Sequence, residues 1–205
     1  MVSVQANKPL GWTGHQHYPA NAIQCLPAIQ GQHFVTKEPI QMPSIDIISR
    51  EYECWHEAGH AVVCLIFGGK VELMEIIKDQ EYFGRARARC ETTDDSRQYI
   101  SCGGFASEYL LYKSGMLNIS ERDFVQNALV NAFPDKIKFF GRDHKQKNNC
   151  WPSEMDNQFM VFSISKVAPK LNERFGLLEE LARTLLEKEY LNEEQINAIA
   201  EKHND

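Results

Sequence analysis

The chain has 205 residues, of which 43% are hydrophobic and 24% are charged, and its formal net charge is −6. The composition is close to the globular average, which excludes wholesale disorder, and the acidic balance argues against a protein that binds nucleic-acid phosphates over a broad surface. The longest apolar run, residues 61–67, is far shorter than the roughly 18 residues that span a bilayer, so we expect no membrane span.

The N-terminal 43 residues differ in character from the rest. They hold five of the eight prolines and show no sustained helical or strand period. Residues 1–8 also lack the basic start and apolar stretch of a secretory signal. We therefore predict an extended or flexible arm over 1–43, a domain over 44–205, and a cytoplasmic protein with reduced thiols.

The domain begins with apolar residues at helical spacing and continues as an alternation of short strands and helices. Gly68 and Gly69 provide a stop for the first helix, and Pro169 should break or bend a later one. The predicted elements are a helix over 45–67, strands over 71–77 and 84–90, helices over 97–114 and 120–133, a polar loop over 143–152, a helix over 153–175, and a helical hairpin over 177–188 and 192–202. This order predicts an α+β fold that is predominantly helical, with a small β-sheet.

The strongest chemical signal is an H-E-x-x-H motif on the first predicted helix. His56 and His60 are four residues apart, so they share one helical face and both rings can reach one metal ion. Glu57, one position further on, can lean over an open coordination site and take a proton. The motif predicts a zinc site, although chance alone can also place two histidines and a glutamate at this spacing.

A catalytic zinc site needs a third protein ligand, which leaves one position for water. Glu81 and Glu91 are near in sequence but fall in predicted strands or turns, and His144 lies in a polar loop. Asp123 lies on the first turn of a later predicted helix, where a short carboxylate is rigidly presented. Asp123 is therefore the better candidate.

Four segments of the chain carry a family resemblance. They are CWHEAGHA at 54–61, CGGFASE at 102–108, SERDFVQNA at 120–128 and LEELARTLLEKEYL at 178–191. In this order they resemble motifs of the FtsH-type ATP-dependent zinc metalloproteases. The resemblance implies a zincin-like metallopeptidase domain in which His56, His60 and Asp123 bind zinc and Glu57 is the catalytic base.

The chain departs from that family in what accompanies the peptidase domain. No G-x-x-x-x-G-K-[ST] motif occurs, so we expect no ATPase activity in cis, and no apolar run is long enough for the family's membrane anchor. The implied substrates are then peptides or unfolded protein segments, with a separate ATPase as a candidate partner. Members of the family assemble as hexameric rings, so the resemblance also implies a homo-oligomer.

Two alternatives stay open at this level. The domain could be a catalytically inactive, metal-stabilised binding or regulatory module of the same fold, because intact ligands do not guarantee turnover. The predicted strand 84–90 could be an edge to which substrate adds, as the resemblance implies. Its arginines could equally form a solvated face that prevents edge-to-edge aggregation, and we favour this second interpretation.

Overall fold

A computed structural model describes residues 44–78, 85–141 and 151–203 of the chain. The predicted arm, 1–43, lies outside the described residues, as does most of the predicted loop at 143–152. The described elements, in chain order, are α1 (Arg50–Ile66), β1 (Lys70–Ile77), β2 (Arg85–Glu91), α2 (Asp94–Ser101), α3 (Gly103–Lys113), α4 (Glu121–Asn131), α5 (Phe133–Phe140), α6 (Ser153–Phe162), α7 (Ala168–Glu173), α8 (Phe175–Lys188), β3 (Tyr190–Asn192) and α9 (Glu193–Glu201). They confirm an α+β fold that is mostly helical with a small sheet.

The helix α1 is the central element of the domain, because it packs against α3, α8 and β2. It starts at Arg50 rather than near residue 45, since the hydroxyl of Ser49 accepts a hydrogen bond from the backbone N–H of Tyr52 at 3.1 Å and caps the helix. Buried residues lie on most of its circumference, from Tyr52 to Cys64. A helix buried this completely fixes its side chains in a dry environment.

The sheet is antiparallel, and both of its predicted strands are confirmed. Strand β1 lies in the centre, between β2 and the short β3, which the sequence did not predict. On one face, Arg87 of β2 pairs with Glu75 and Arg89 pairs with Glu72 at 3.5 Å. The alternating arginines therefore lie on the polar face of the sheet, and Ala86 is buried on the opposite one.

Several predicted helices are divided in the structure. The helix predicted over 97–114 is two helices, α2 and α3, that meet at Cys102. The helix predicted over 120–133 ends at Asn131, and Pro134 lies in the first turn of the next helix, α5. Proline is favoured there because the first N–H groups of a helix have no partner within the helix. A π-helical turn, Ser163–Val167, separates α6 from α7.

None of the described helices combines the length and the apolar character that crossing a bilayer requires. The core is instead one continuous cluster of aliphatic and aromatic side chains, which joins α1 to the helices of the C-terminal half. Phe105, Phe124 and Phe159 are completely buried within it, and the ring centroids of Phe105 and Phe159 are 5.7 Å apart.

Two glycines permit a very close approach of α1 and α3. A Cβ atom added at Gly59 would lie 2.2 Å from the carbonyl oxygen of Gly103, and one added at Gly103 would lie 2.6 Å from the carbonyl oxygen of Gly59. The hydroxyl of Ser107 also donates to the carbonyl oxygen of Trp55 across this contact, at 2.7 Å. Because backbone atoms cannot move aside as a flexible side chain can, this contact requires glycine on both helices.

We expect Gly103→Ala to lower the free energy of unfolding by about 1–3 kcal/mol, because the added methyl group must push two backbones apart. Gly176→Ala is the matched control, since its Cβ would meet only the side chain of His203, at 3.3 Å. Urea unfolding followed by circular dichroism measures both variants. Equal stability of the two variants would contradict the close packing of α1 and α3.

Candidate metal centre

The helix α1 brings the two motif histidines together in the core. His56 and His60 are only 5% and 6% exposed, and their Nε2 atoms are 3.1 Å apart. The carboxylate of Glu57 lies beside them, since one of its oxygens and the two ring nitrogens are all within 4.8 Å of one another. The predicted clustering of the motif on one helical face is therefore present.

A third group, from α5, completes the arrangement around the histidines. The Oδ2 atom of Asp135 lies 3.1 Å from Nε2 of His56 and 3.1 Å from Nε2 of His60. Two nitrogens and one oxygen thus form a triangle with equal edges. Asp135 is 3% exposed, and its other oxygen, Oδ1, accepts a hydrogen bond from Lys138 at 3.2 Å.

The triangle suits a divalent cation with nitrogen and oxygen ligands. Zinc is bound at 2.0–2.2 Å by such atoms in tetrahedral sites, which separates the ligand atoms by roughly 3.3–3.6 Å. The observed separations of 3.1 Å are slightly shorter, and small movements of the side chains would reach the expected values. His56, His60 and Asp135 could therefore hold zinc and leave a fourth position open.

The predicted ligand Asp123 lies elsewhere. It is in the first turn of α4, as expected, but it is exposed, and its Oδ2 accepts a hydrogen bond from the hydroxyl of Ser120 at 2.7 Å. The same hydroxyl accepts from the backbone N–H of Asp123 at 3.2 Å. Asp123 therefore belongs to the cap of α4, and the structure does not bring it to the two histidines.

Sequence reasoning missed Asp135 because it took Pro134 as the end of a helix. Asp135 directly follows that proline, and both lie in the first turn of α5. A proline followed by an acidic residue is a common helix start, because proline fits the first turn and a negative charge is stabilised there. That signal could have identified a second short carboxylate presented at the start of a helix.

The outer nitrogens of both histidines have partners that set the tautomer of each ring. Nδ1 of His60 lies 2.6 Å from the carbonyl oxygen of Ile100, which only accepts, so this nitrogen carries the hydrogen. Nδ1 of His56 lies 2.7 Å from Oε1 of Glu108, which is completely buried on α3. Both rings therefore direct Nε2 toward Asp135, which is the orientation that a metal ligand needs.

Glu108 is itself held by a donor on α4. Asn131 donates to its Oε1 at 2.6 Å, and the hydroxyl of Tyr52 faces the same carboxylate. Burial and the charge of Glu108 together raise the pKa of Tyr52, so its hydroxyl remains protonated. The contacts fix a carboxylate that sequence reasoning included only as part of a family segment.

A further glycine leaves room for the ring of His56. A Cβ atom added at Gly104 would lie 2.3 Å from both Cε1 and Nε2 of that ring. Helix α3 therefore contributes three functions in one turn and a half: Gly103 lets α1 approach, Gly104 accommodates the imidazole, and Glu108 orients it.

The buried charges at the site shift one another's pKa values. Burial disfavours a charged His56, but Glu108 and Asp135 outweigh this effect and raise the pKa of His56 well above its usual value. Burial likewise opposes ionisation of Asp135, yet the two histidines hold its pKa well below the usual range. For Glu57, burial dominates and raises the pKa, although the histidines and a backbone amide partly offset the effect.

The amide that contacts Glu57 belongs to the strand β2. The backbone N–H of Ala88 donates to Oε2 of Glu57 at 2.7 Å, which fixes the carboxylate between α1 and the sheet. The strand therefore positions the second residue of the motif.

A buried ion pair holds α5, and with it Asp135, against α6. Lys136 is 2% exposed, and its Nζ lies 2.6 Å from Oδ1 of Asp156. Lys136 also lies over the ring of Trp151, at 5.8 Å from the centroid. Burial raises the pKa of Asp156, and the charge of Lys136 opposes that effect. The pair fixes the position of α5 next to the candidate metal centre.

Neither a family model nor a curated protein matches the chain. The resemblance to the FtsH-type proteases therefore stays a prediction that rests on its four segments. The geometry of His56, His60 and Asp135 is independent of that resemblance.

We expect Asp135→Asn to weaken zinc binding by more than about 100-fold, because loss of even an indirect partner of a metal ligand typically costs 10–100-fold. Asp123→Asn is the matched control, and its affinity should stay within about threefold of the parent. Competition with a chromophoric chelator measures both affinities. The opposite ranking would restore Asp123 as the third ligand.

We expect Lys136→Met to cost roughly 3–5 kcal/mol of stability, because it leaves the carboxylate of Asp156 buried and unpaired. The double variant Lys136→Met/Asp156→Leu should recover most of this loss. The penalty of the single variant should also shrink as the pH falls, since a carboxyl with a raised pKa binds its proton more readily in the folded state. Denaturant unfolding at several pH values measures these effects, and equal stability of the single and double variants would contradict the ion pair.

Proposed function

We propose that this domain is a zinc-dependent metallopeptidase that hydrolyses peptide bonds in peptides or unfolded protein segments. The observation that carries the proposal is the triangle formed by His56, His60 and Asp135 with the carboxylate of Glu57 beside it. Three protein ligands with one open position are the typical donor set of a catalytic zinc site, whereas structural sites have four. Zinc bound there supplies Lewis acidity and a water of lowered pKa.

The role of Glu57 is to take a proton from the attacking water and to deliver it to the leaving amine. Its Oε2 is engaged by Ala88, so Oε1 is the oxygen that accepts and returns the proton. His56 and His60 stay oriented through the reaction because Glu108 and Ile100 hold their outer nitrogens.

The strand β2 is a candidate platform for the substrate. It pairs with β1 on one side only, and in the described sheet its other side lies next to Glu57. A polypeptide that adds to this edge would run past the metal centre. The paired arginines on the polar face of the sheet also support the alternative interpretation of β2 as a protected edge.

Binding as an added strand favours peptides and unfolded segments over folded proteins as substrates. An added strand must be extended, and the sequence contains no nucleotide-binding loop that could drive unfolding. A separate ATPase that delivers unfolded chains would extend the substrate range. The FtsH-type proteases, which the four segments resemble, combine both activities in one polypeptide.

A second candidate is a metal-stabilised binding or regulatory module without catalysis. One observation favours it: the carboxylate of Glu57 is already hydrogen-bonded to the backbone of β2, which is a structural role that requires no proton transfer. Glutamine can accept the same hydrogen bond but cannot act as a base. Replacement of this one residue therefore separates the two candidates.

We expect Glu57→Gln to bind one equivalent of zinc and to lose peptidase activity by a factor of roughly 10²–10⁴, the usual contribution of a general base. Cleavage of fluorescent casein and of short peptides measures activity, and metal analysis measures zinc. Glu51→Gln, on the same helix, is the matched control and should keep both properties. A parent protein that holds zinc but cleaves nothing would support the binding module.

A further inference from the structure

Two cysteines face each other across the contact between α1 and β2. The Sγ atom of Cys64 lies 3.9 Å from the carbonyl oxygen of Glu91, the neighbour of Cys90. The Sγ atom of Cys90 lies 4.0 Å from the carbonyl oxygen of His60, which is one helical turn before Cys64. Each thiol therefore reaches the backbone next to the other, which makes the two side chains neighbours across this contact.

The two thiols differ in their access to solvent. Cys64 is completely buried, whereas Cys90 is half-buried, so a small oxidant can reach Cys90 first. A Cβ atom added at Gly69 would lie 2.7 Å from Sγ of Cys64, so this thiol is closely enclosed. Cys54 and Cys102 are also completely buried, on other parts of the core.

We propose that Cys64 and Cys90 form a reversible disulfide when the protein meets a peroxide, and that this bond ties β2 to α1. The Cys90 sulfur attacks one peroxide oxygen, so that an S–O bond forms, the O–O bond breaks, and a sulfenic acid and one water result. The Cys64 sulfur then attacks the Cys90 sulfur, an S–S bond replaces the S–O bond, and a second water leaves with the Cys64 proton. Two thiols lose two electrons, and one peroxide is reduced to two waters.

The position of this bond gives it a consequence for the metal centre. Cys90 is two residues after Ala88 and therefore lies on the same face of β2. Ala88 is the residue whose amide holds Glu57, and neither thiol belongs to the triangle of His56, His60 and Asp135. The disulfide would thus fix the strand that positions Glu57 and leave the metal ligands unchanged. Formation of the disulfide requires only the two thiols and an oxidant, so it does not depend on peptidase activity.

Peptide mapping of the zinc-loaded full chain tests the proposal. The protein is treated with hydrogen peroxide, its free thiols are blocked, and it is digested without reduction for mass spectrometry. We expect a linked pair of peptides containing Cys64 and Cys90 that disappears after treatment with dithiothreitol. Absence of this pair, or equal linkage among the other cysteines, would overturn the proposal.

Two serine variants and one further measurement make the test specific. Cys64→Ser should abolish the linked peptides and leave Cys90 as a sulfenic acid that dimedone labels, whereas Cys54→Ser, on the same helix, should leave the link intact. If Cys64→Ser does not fold, Cys90→Ser at the half-buried position replaces it and should also abolish the link. Hydrogen exchange of the β2 amides should slow at least about threefold in the oxidised parent. Unchanged exchange in protein that carries the disulfide would overturn the fixation of β2.

Discussion

The structure depends on the compensation of charge inside the core. Glu108 and Asp135 are two almost completely buried carboxylates, and each lies against the ring of His56. Buried carboxylates are costly unless a positive charge or strong donors accompany them. A protonated His56 provides this charge when no metal is bound, and a divalent cation would provide it more completely. The raised pKa of His56 and the lowered pKa of Asp135 express the same compensation.

This charge cluster explains why distant parts of the chain must pack accurately. The three candidate ligands come from α1 and α5, and the carboxylate that orients His56 comes from α3. The α1–α3 distance is set by two glycines in contact, and the position of α5 is set by a buried lysine and aspartate. Both arrangements have a cost. The glycines contribute no side chains to the packing of the core, and the lysine and aspartate lose their hydration. Packing of this kind is typical of a site that must be held in one geometry.

The sequence predicted the features that depend on local spacing. The histidines of α1 lie four residues apart on one face, and the strand β2 shows a clear alternation of small and charged residues. It failed where two helices meet without an intervening loop. A single residue, Cys102 or Ala132, separates consecutive helices, and the two glycines after Cys102 belong to the first turn of α3 rather than to a loop. The change of helix direction at these points comes from tertiary packing. Sequence spacing alone could therefore not decide whether Asp123 or Asp135 lies near the histidines. Strand β3 was missed for a similar reason, since three residues are too few to show a period.

The three residues of β3 also determine which edge of the sheet remains without a neighbouring strand. They pair with β1 from Leu73 to Glu75, and the backbone of Glu189 accepts a further hydrogen bond from Ile76. One side of β1 is thereby covered by the C-terminal part of the domain. In the described sheet, the outer edge of β2 has no neighbouring strand, and its backbone N–H at Ala88 contacts Glu57 of α1 instead. An extended chain that paired with this sheet through its backbone would therefore have to bind at the β2 edge, which is the edge next to Glu57.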